Sequence, residues 1–265
     1  MTNLEVHEFG QRGSGVETVV LLSSIATTHE SWNEIIAALE PNYRVVTVNH
    51  RGHGASEVAR VAPGSTTVEQ LCDDVIQALD SVGVDRFNVV GLSLGGALAQ
   101  WIAANSGRVE KAVFCSTATY LGGQDKWSER TAQARSEGMA LLADGFVNSW
   151  FTPSFRESNP DEVRRIRDMA AGVDPEGYAQ NGDALAGWDF ADTLDRITCP
   201  VLTIAGAQDP NTGPEELAAI AAGVSGPSES AVIDPGSHQV AVENPGEFIR
   251  VLKRFLAGAS ASLEG

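Results

Sequence analysis

Ser93 stands in the run Gly91-Leu92-Ser93-Leu94-Gly95-Gly96, directly after the short apolar stretch Phe87–Val90 and directly before the helical stretch Ala97–Ala104. A serine at a sharp strand-to-helix turn presents its hydroxyl at the end of a sheet, and flanking glycines let neighbouring backbone pass close by. An alcohol attacks poorly until a base takes its proton, and the chain offers 5 histidines for that task. His7 falls on a predicted edge strand, His29 near a helix start, and His50 and His53 in the loop after the apolar run Arg44–Val48. His238 falls in the turn Pro235-Gly236-Ser237-His238, between the run Glu229–Ile233 and the helical stretch Gly246–Leu256. It is therefore predicted at a strand's carboxyl end, level with Ser93.

A base of this kind needs an acid that fixes its tautomer and stabilises the imidazolium. Asp209 follows the run Val201–Ala205 through the turn Gly206-Ala207-Gln208, again at a carboxyl end. Asp234 is the competitor, but it lies four positions before His238 and is expected to shape that turn. The chain order Ser93, Asp209, His238 is the order of one class of nucleophilic serine site. The oxyanion formed by attack requires preorganised N–H donors. One is expected from Leu94, immediately after the nucleophile, and the second from Ile25 in the loop after Thr18–Ser23.

The elements that must hold these residues can be read from hydrophobic spacing. Thr18–Ser23, Arg44–Val48, Phe87–Val90, Lys111–Cys115, Val201–Ala205 and Glu229–Ile233 are short apolar runs, and their continuous hydrophobicity predicts parallel strands buried on both faces. Between them lie amphipathic helices. In Val68–Val82 the residues Val68, Leu71, Val75, Leu79 and Val82 make one apolar face, and Glu69, Asp73, Asp74 and Asp80 are assigned to the other. This alternation is that of an α/β chain with a mostly parallel, doubly wound sheet. It breaks between residues 120 and 195, where helical stretches (Trp127–Asp144, Pro160–Ala171, Pro175–Ala186) predict an inserted helical cap over the strands' carboxyl ends. The expected division is a core of residues 1–119 and 196–265 with a cap of 120–195. The Ala- and Ser-rich tail Ala257–Gly265 is expected to fray.

Composition narrows the partners. Lys and Arg total 18 against 35 Asp and Glu, a net charge of −17, which repels nucleic-acid phosphates and anionic membrane faces. Cys72, Cys115 and Cys199 lack the paired spacing of a metal or redox site and are expected to be buried reduced thiols. No metal or organic cofactor is called for. With no basic region followed by an apolar run in Met1–Gly10 and no long uncharged stretch, a cytoplasmic protein acting on a small molecule is expected.

The loop Leu22–Thr28 with Trp32, the turn Arg51-Gly52-His53-Gly54-Ala55-Ser56, the Gly91–Gly96 run, and the phrases around Trp127, Ala134–Met139 and Glu176–Ala179 resemble the 3-oxoadipate enol-lactonases of the α/β-hydrolase fold. The resemblance runs over nearly the whole chain. Departures are Ser23-Ser24 where such loops commonly read His-Gly, Asn49-His50 where the family usually shows Asp-Thr, and Gly182 where a Cys is frequent. The resemblance implies a serine hydrolase that opens the enol-lactone of the β-ketoadipate pathway of aromatic degradation through an acyl-enzyme. That substrate carries a carboxylate, for which Arg130 and Arg135 are candidate clamps, with Trp127 and Trp150 as apolar walls. The same site residues also fit a general carboxylesterase, a C–C bond hydrolase or a cofactor-free perhydrolase. A ligand-binding protein on a hydrolase scaffold is the reading outside enzymology. Oligomeric state is not indicated.

Overall fold

The apolar runs become strands because β-branched residues pack on a pleated surface, and alternate side chains of each strand feed opposite faces of the sheet. A computed structural model describes residues 2–258. In it β1 (Val6–Gly10), β2 (Thr18–Leu22), β3 (Arg44–Val48), β4 (Phe87–Leu92), β5 (Val109–Cys115), β6 (Val201–Gly206) and β7 (Ser228–Ile233) form one sheet in the order β1-β3-β2-β4-β5-β6-β7. All pairings are parallel except β1 with β3, so His7 does lie on an antiparallel edge strand. Val20 and Leu22 enter one apolar cluster and Val19 and Leu21 the other. Two cores on one sheet make it doubly wound.

Helices α1 (Asn33–Leu39), α2 (Val68–Ser81) and α3 (Leu94–Asn105) connect the first strands. After β5 come α4 (Gly123–Glu137), α5 (Ala140–Trp150), α6 (Pro153–Ser158), α7 (Pro160–Ala171) and α8 (Pro175–Ala186), all before β6. The chain then adds α9 (Pro214–Gly223), α10 (Val240–Glu243) and α11 (Pro245–Leu256). Ile35 and Leu39 of α1 join Phe248 and Leu252 of α11 in one core, while Leu71 of α2, Leu98 of α3 and Ile220 of α9 fill the other. Among the described residues no helix is long and apolar enough to cross a membrane.

Four expectations change. β7 is an edge strand, and its residues alternate between exposed and partly covered up to buried Ile233, because one flank has no partner strand. The helix predicted over Trp127–Asp144 is two, divided at Gly138, whose φ of 80° no residue inside an α-helix adopts. Asp74 is on the buried side of α2: its carboxylate accepts from Arg51 Nε at 2.6 Å and from the Thr2 N–H at 3.3 Å. Of the thiols, Cys72 and Cys115 are buried but Cys199 is only half-buried. The fraying assigned to the tail concerns positions 259–265, which lie outside the described residues.

Candidate active site

Ser93 is the residue before α3 and sits at φ 57°, ψ −112°, a conformation that L side chains avoid and that surrounding contacts must impose. Its N–H donates to the Cys115 carbonyl at 3.0 Å, and its carbonyl accepts from Ala97 N–H at 3.0 Å and from the Thr117 hydroxyl at 2.9 Å. Glycine is required beside it by space: a Cβ on Gly95 would lie 2.1 Å from the Leu22 carbonyl oxygen, and one on Gly91 2.1 Å from the carbonyl oxygen of Gly95. The turn is thus pinned on every side except at the serine hydroxyl. That hydroxyl has no hydrogen-bond partner among the described residues and opens on a cavity of about 70 Å³.

His238 lines the same cavity. Its Nδ1 is 2.8 Å from Asp209 Oδ2. Because an ionised carboxylate only accepts, Nδ1 carries the proton and Nε2 is left with a lone pair. Asp209 is fully covered and also accepts from Asn211 N–H at 3.0 Å, Thr212 N–H at 3.2 Å and the Thr212 hydroxyl at 2.7 Å. Burial opposes its ionisation, but the neighbouring imidazole and these donors outweigh that and hold the carboxyl well below the usual carboxylate range. The Thr212 hydroxyl also lies 3.1 Å from His238 Nδ1, so it braces both partners. The His238 loop is fixed in turn: Ser237 N–H donates to Glu243 at 2.9 Å and Gln239 N–H to the Trp150 carbonyl at 3.0 Å. Asp234 does not face His238; it is exposed and accepts from Gln208 Nε2 at 2.8 Å, which shapes the turn.

Ile25 lines the cavity, and the N–H groups of Ile25 and Leu94 have no protein acceptor among the described residues. Residues of α4, α5 and α8, together with Leu121, supply the opposite wall. Trp127 and Trp150 line it with Leu121, Phe146 and Leu185, and the Trp150 ring stacks over His238 with centroids 6.5 Å apart. Two cations, Lys126 and Arg130, also line it, and neither is ion-paired with a carboxylate among the described residues. Burial, aided by Arg130, lowers the Lys126 pKa. Each flanks the Trp127 ring, at 6.0 Å and 5.7 Å from its centroid.

Arg135 is not brought to this cavity. It is bound at 2.7 Å to Glu176 and at 2.6 Å to Asp183 on α8. Five residues separate it from Arg130, about 140° around the helix, so the two side chains leave α4 on different faces. Lys126, one turn before Arg130, takes the place expected of Arg135; the four-residue spacing of the two cations was the available signal. A wider groove of about 640 Å³ between the 57–61 segment and α2 contains none of these groups. Among the described residues no group of three His, Cys, Asp or Glu is placed to hold a metal ion.

A parallel sheet with a strained serine at the strand-to-helix turn and its histidine and aspartate on later strand ends defines the α/β-hydrolase class. The chain belongs to that family: the profile described as alpha/beta hydrolase fold matches residues 17–245. Among known proteins it is similar to 3-oxoadipate enol-lactonase 2 of Acinetobacter baylyi, 36% identical over 195 residues, covering 73% of this chain and 72% of that protein. 3-Oxoadipate enol-lactonase 1 of the same organism is 30% identical over 239 residues, covering 90% of this chain and 88% of that protein. The crystal structure of the enol-lactonase from Burkholderia xenovorans superposes with a TM-score of 0.91 at 33% identity, covering 97% of both chains. The chain is a hydrolase of this family.

Proposed function

We propose that the protein opens a small carboxylate-bearing lactone, 3-oxoadipate enol-lactone, by acyl transfer to Ser93, in the β-ketoadipate pathway of aromatic degradation. Ser93 Oγ adds to the lactone carbonyl while its proton passes to His238 Nε2. The oxyanion is held by the Leu94 and Ile25 N–H groups. As the intermediate collapses, the ring C–O bond breaks and His238 returns the proton to the departing enol oxygen, leaving an acyl-Ser93 ester and a free enol that reverts to the ketone. Water, deprotonated by His238, then attacks the ester and releases the acid. Asp209 keeps the imidazole in the tautomer that serves both halves. Residues 120–195 act as the cap that closes over the substrate.

The observation that carries the substrate assignment is the pair Lys126 and Arg130, two cations that form no ion pair with a carboxylate among the described residues, in the cavity that holds Ser93 and His238. In a chain of net charge −17, cations left unpaired beside a nucleophile are suited to an anionic guest. The names of the relatives above and the aromatic walls support the same reading. The test is kcat/KM for 3-oxoadipate enol-lactone against p-nitrophenyl acetate under matched conditions. A clear preference for the lactone is expected; a preference for the neutral ester would defeat the assignment and favour a general carboxylesterase.

A further inference from the structure

The two N–H groups assigned to the oxyanion belong to segments far apart in the chain, and what holds Ile25 against Leu94 is a set of bonds to its neighbours. The Ser23 carbonyl accepts from Gly95 N–H at 3.1 Å and from His50 Nε2 at 2.7 Å. It thereby ties the loop to the residue after Leu94. On the other side of Ile25, Ala26 sits at φ 63° and its N–H donates to His53 Nε2 at 2.9 Å. His53 Nδ1 in turn donates to the Arg51 carbonyl at 2.8 Å. The Thr27 N–H and hydroxyl both return to the Ser24 carbonyl, at 3.2 Å and 3.0 Å. The Ser23 and Ser24 carbonyls and the Ala26 and Thr27 N–H groups are thus committed, and among the described residues the Ile25 N–H has no acceptor.

Both imidazoles are buried, meet edge to face with centroids 5.7 Å apart, and are absent from the lining of the Ser93 cavity. They therefore act on the reaction through the loop and not on substrate. Accepting from Ala26 demands an unprotonated Nε2, so His53 is locked as the neutral tautomer with its proton on Nδ1.

We propose that His53, assisted by His50, is a positioning residue of the oxyanion hole: the pair clamps Ser23–Ala26 onto the start of α3 so that Ile25 and Leu94 present their N–H groups at a fixed separation. The proposal rests on the acyl-transfer reading of Ser93. An oxyanion donor acts only when it lies about 2.7–3.1 Å from where the oxygen will be, so a small shift of the loop weakens the transition state while leaving ground-state binding in the cavity unchanged.

The test separates the two nitrogens of His53. His53→Gln retains an acceptor near Nε2 and loses the donor near Nδ1; His53→Asn does the reverse. With p-nitrophenyl acetate, His53→Asn is expected to lower kcat about 10- to 100-fold with KM within about twofold, and His53→Gln to recover most of that loss. A purely structural histidine would give two variants whose losses track their thermal midpoints, and that outcome, or full kcat in His53→Asn, would overturn the proposal. Should His53→Asn fail to fold, His50→Leu against His50→Gln poses the same question at the Ser23 carbonyl: a kcat loss confined to His50→Leu supports the clamp, and equal wild-type turnover in both refutes it. Ser93→Ala serves as the control. If it keeps full turnover the Ser93 reading itself fails, whereas an inactive Ser93→Ala beside an unaffected His53→Asn sinks the clamp alone.

Discussion

At the carboxyl ends of the strands the groups that hold the site in place are matched to partners: Asp209 to three donors besides His238, the Ser93 backbone to Cys115, Ala97 and Thr117, and the Ser23 carbonyl to Gly95 and His50. Across the cavity the wall given by α4 is different: Lys126 and Arg130 are buried in part beside the Trp127 ring, and among the described residues neither forms an ion pair with a carboxylate. Chemistry needs groups whose positions are settled before substrate arrives, and a saturated network supplies that. On the proposed function, selection falls to groups whose partner is the substrate, and Lys126 and Arg130 are assigned that role. On α4 itself Arg130 and Arg135 repeat the contrast, one turned to the cavity and the other spent on Glu176 and Asp183.

The largest break in this contrast comes from the saturated side. Ser93→Ala is expected to cost on the order of 10³-fold or more in kcat with the thermal midpoint unchanged, and stoppage of covalent labelling by a fluorophosphonate checks the same residue. Asp209→Asn is expected to cost about 10²- to 10³-fold by favouring the wrong tautomer of His238, while Asp234→Asn stays within a few-fold; steady-state kinetics that rank them the other way would mean the acid is misassigned. On the unsaturated side, Lys126→Met and Arg130→Met should each raise KM for the anionic lactone about 10-fold and leave p-nitrophenyl acetate hydrolysis nearly untouched. Equal losses on both substrates would show that the cations serve the fold instead.

Acid sharpens the comparison from the direction of stability. Burial lowers His50 to about 4 and His53 to about 3 from an ordinary value of 6.5. Between pH 6.5 and those values the unfolded chain binds protons that the folded chain refuses, so stability is present above 6.5 and falls as pH falls. Each imidazole contributes a slope of roughly 1.4 kcal/mol per pH unit in that window. Denaturant melts at a series of pH values should show this slope shrink by about half in His53→Gln. The smallest effect is expected at Arg135: Arg135→Met should lower stability by about 1 kcal/mol, because its ion pairs are partly exposed, with lactone turnover unchanged.

What could be read directly from the sequence is what depends on neighbours in the chain. The strand, turn and helix around Ser93 follow from local hydrophobic period and glycine placement, and so do the strand ends that carry Asp209 and His238. The sequence delimits six of the seven strands to within two residues at each end and anticipates the seventh around His7, because the apolar runs are short and bounded by turn residues. Three-dimensional packing decided the rest. Whether Arg130 or Arg135 meets the cavity depends on how α4 is rotated against α8, and Asp74 is buried because Arg51, remote in sequence, reaches it. His50, a departure from the pattern the chain resembles, has no visible partner in the sequence until the fold sets its Nε2 against the Ser23 carbonyl. A local pattern records which face of a helix or strand is apolar; which distant side chain lands on a given polar atom is determined only when the packed layers fix distances between segments.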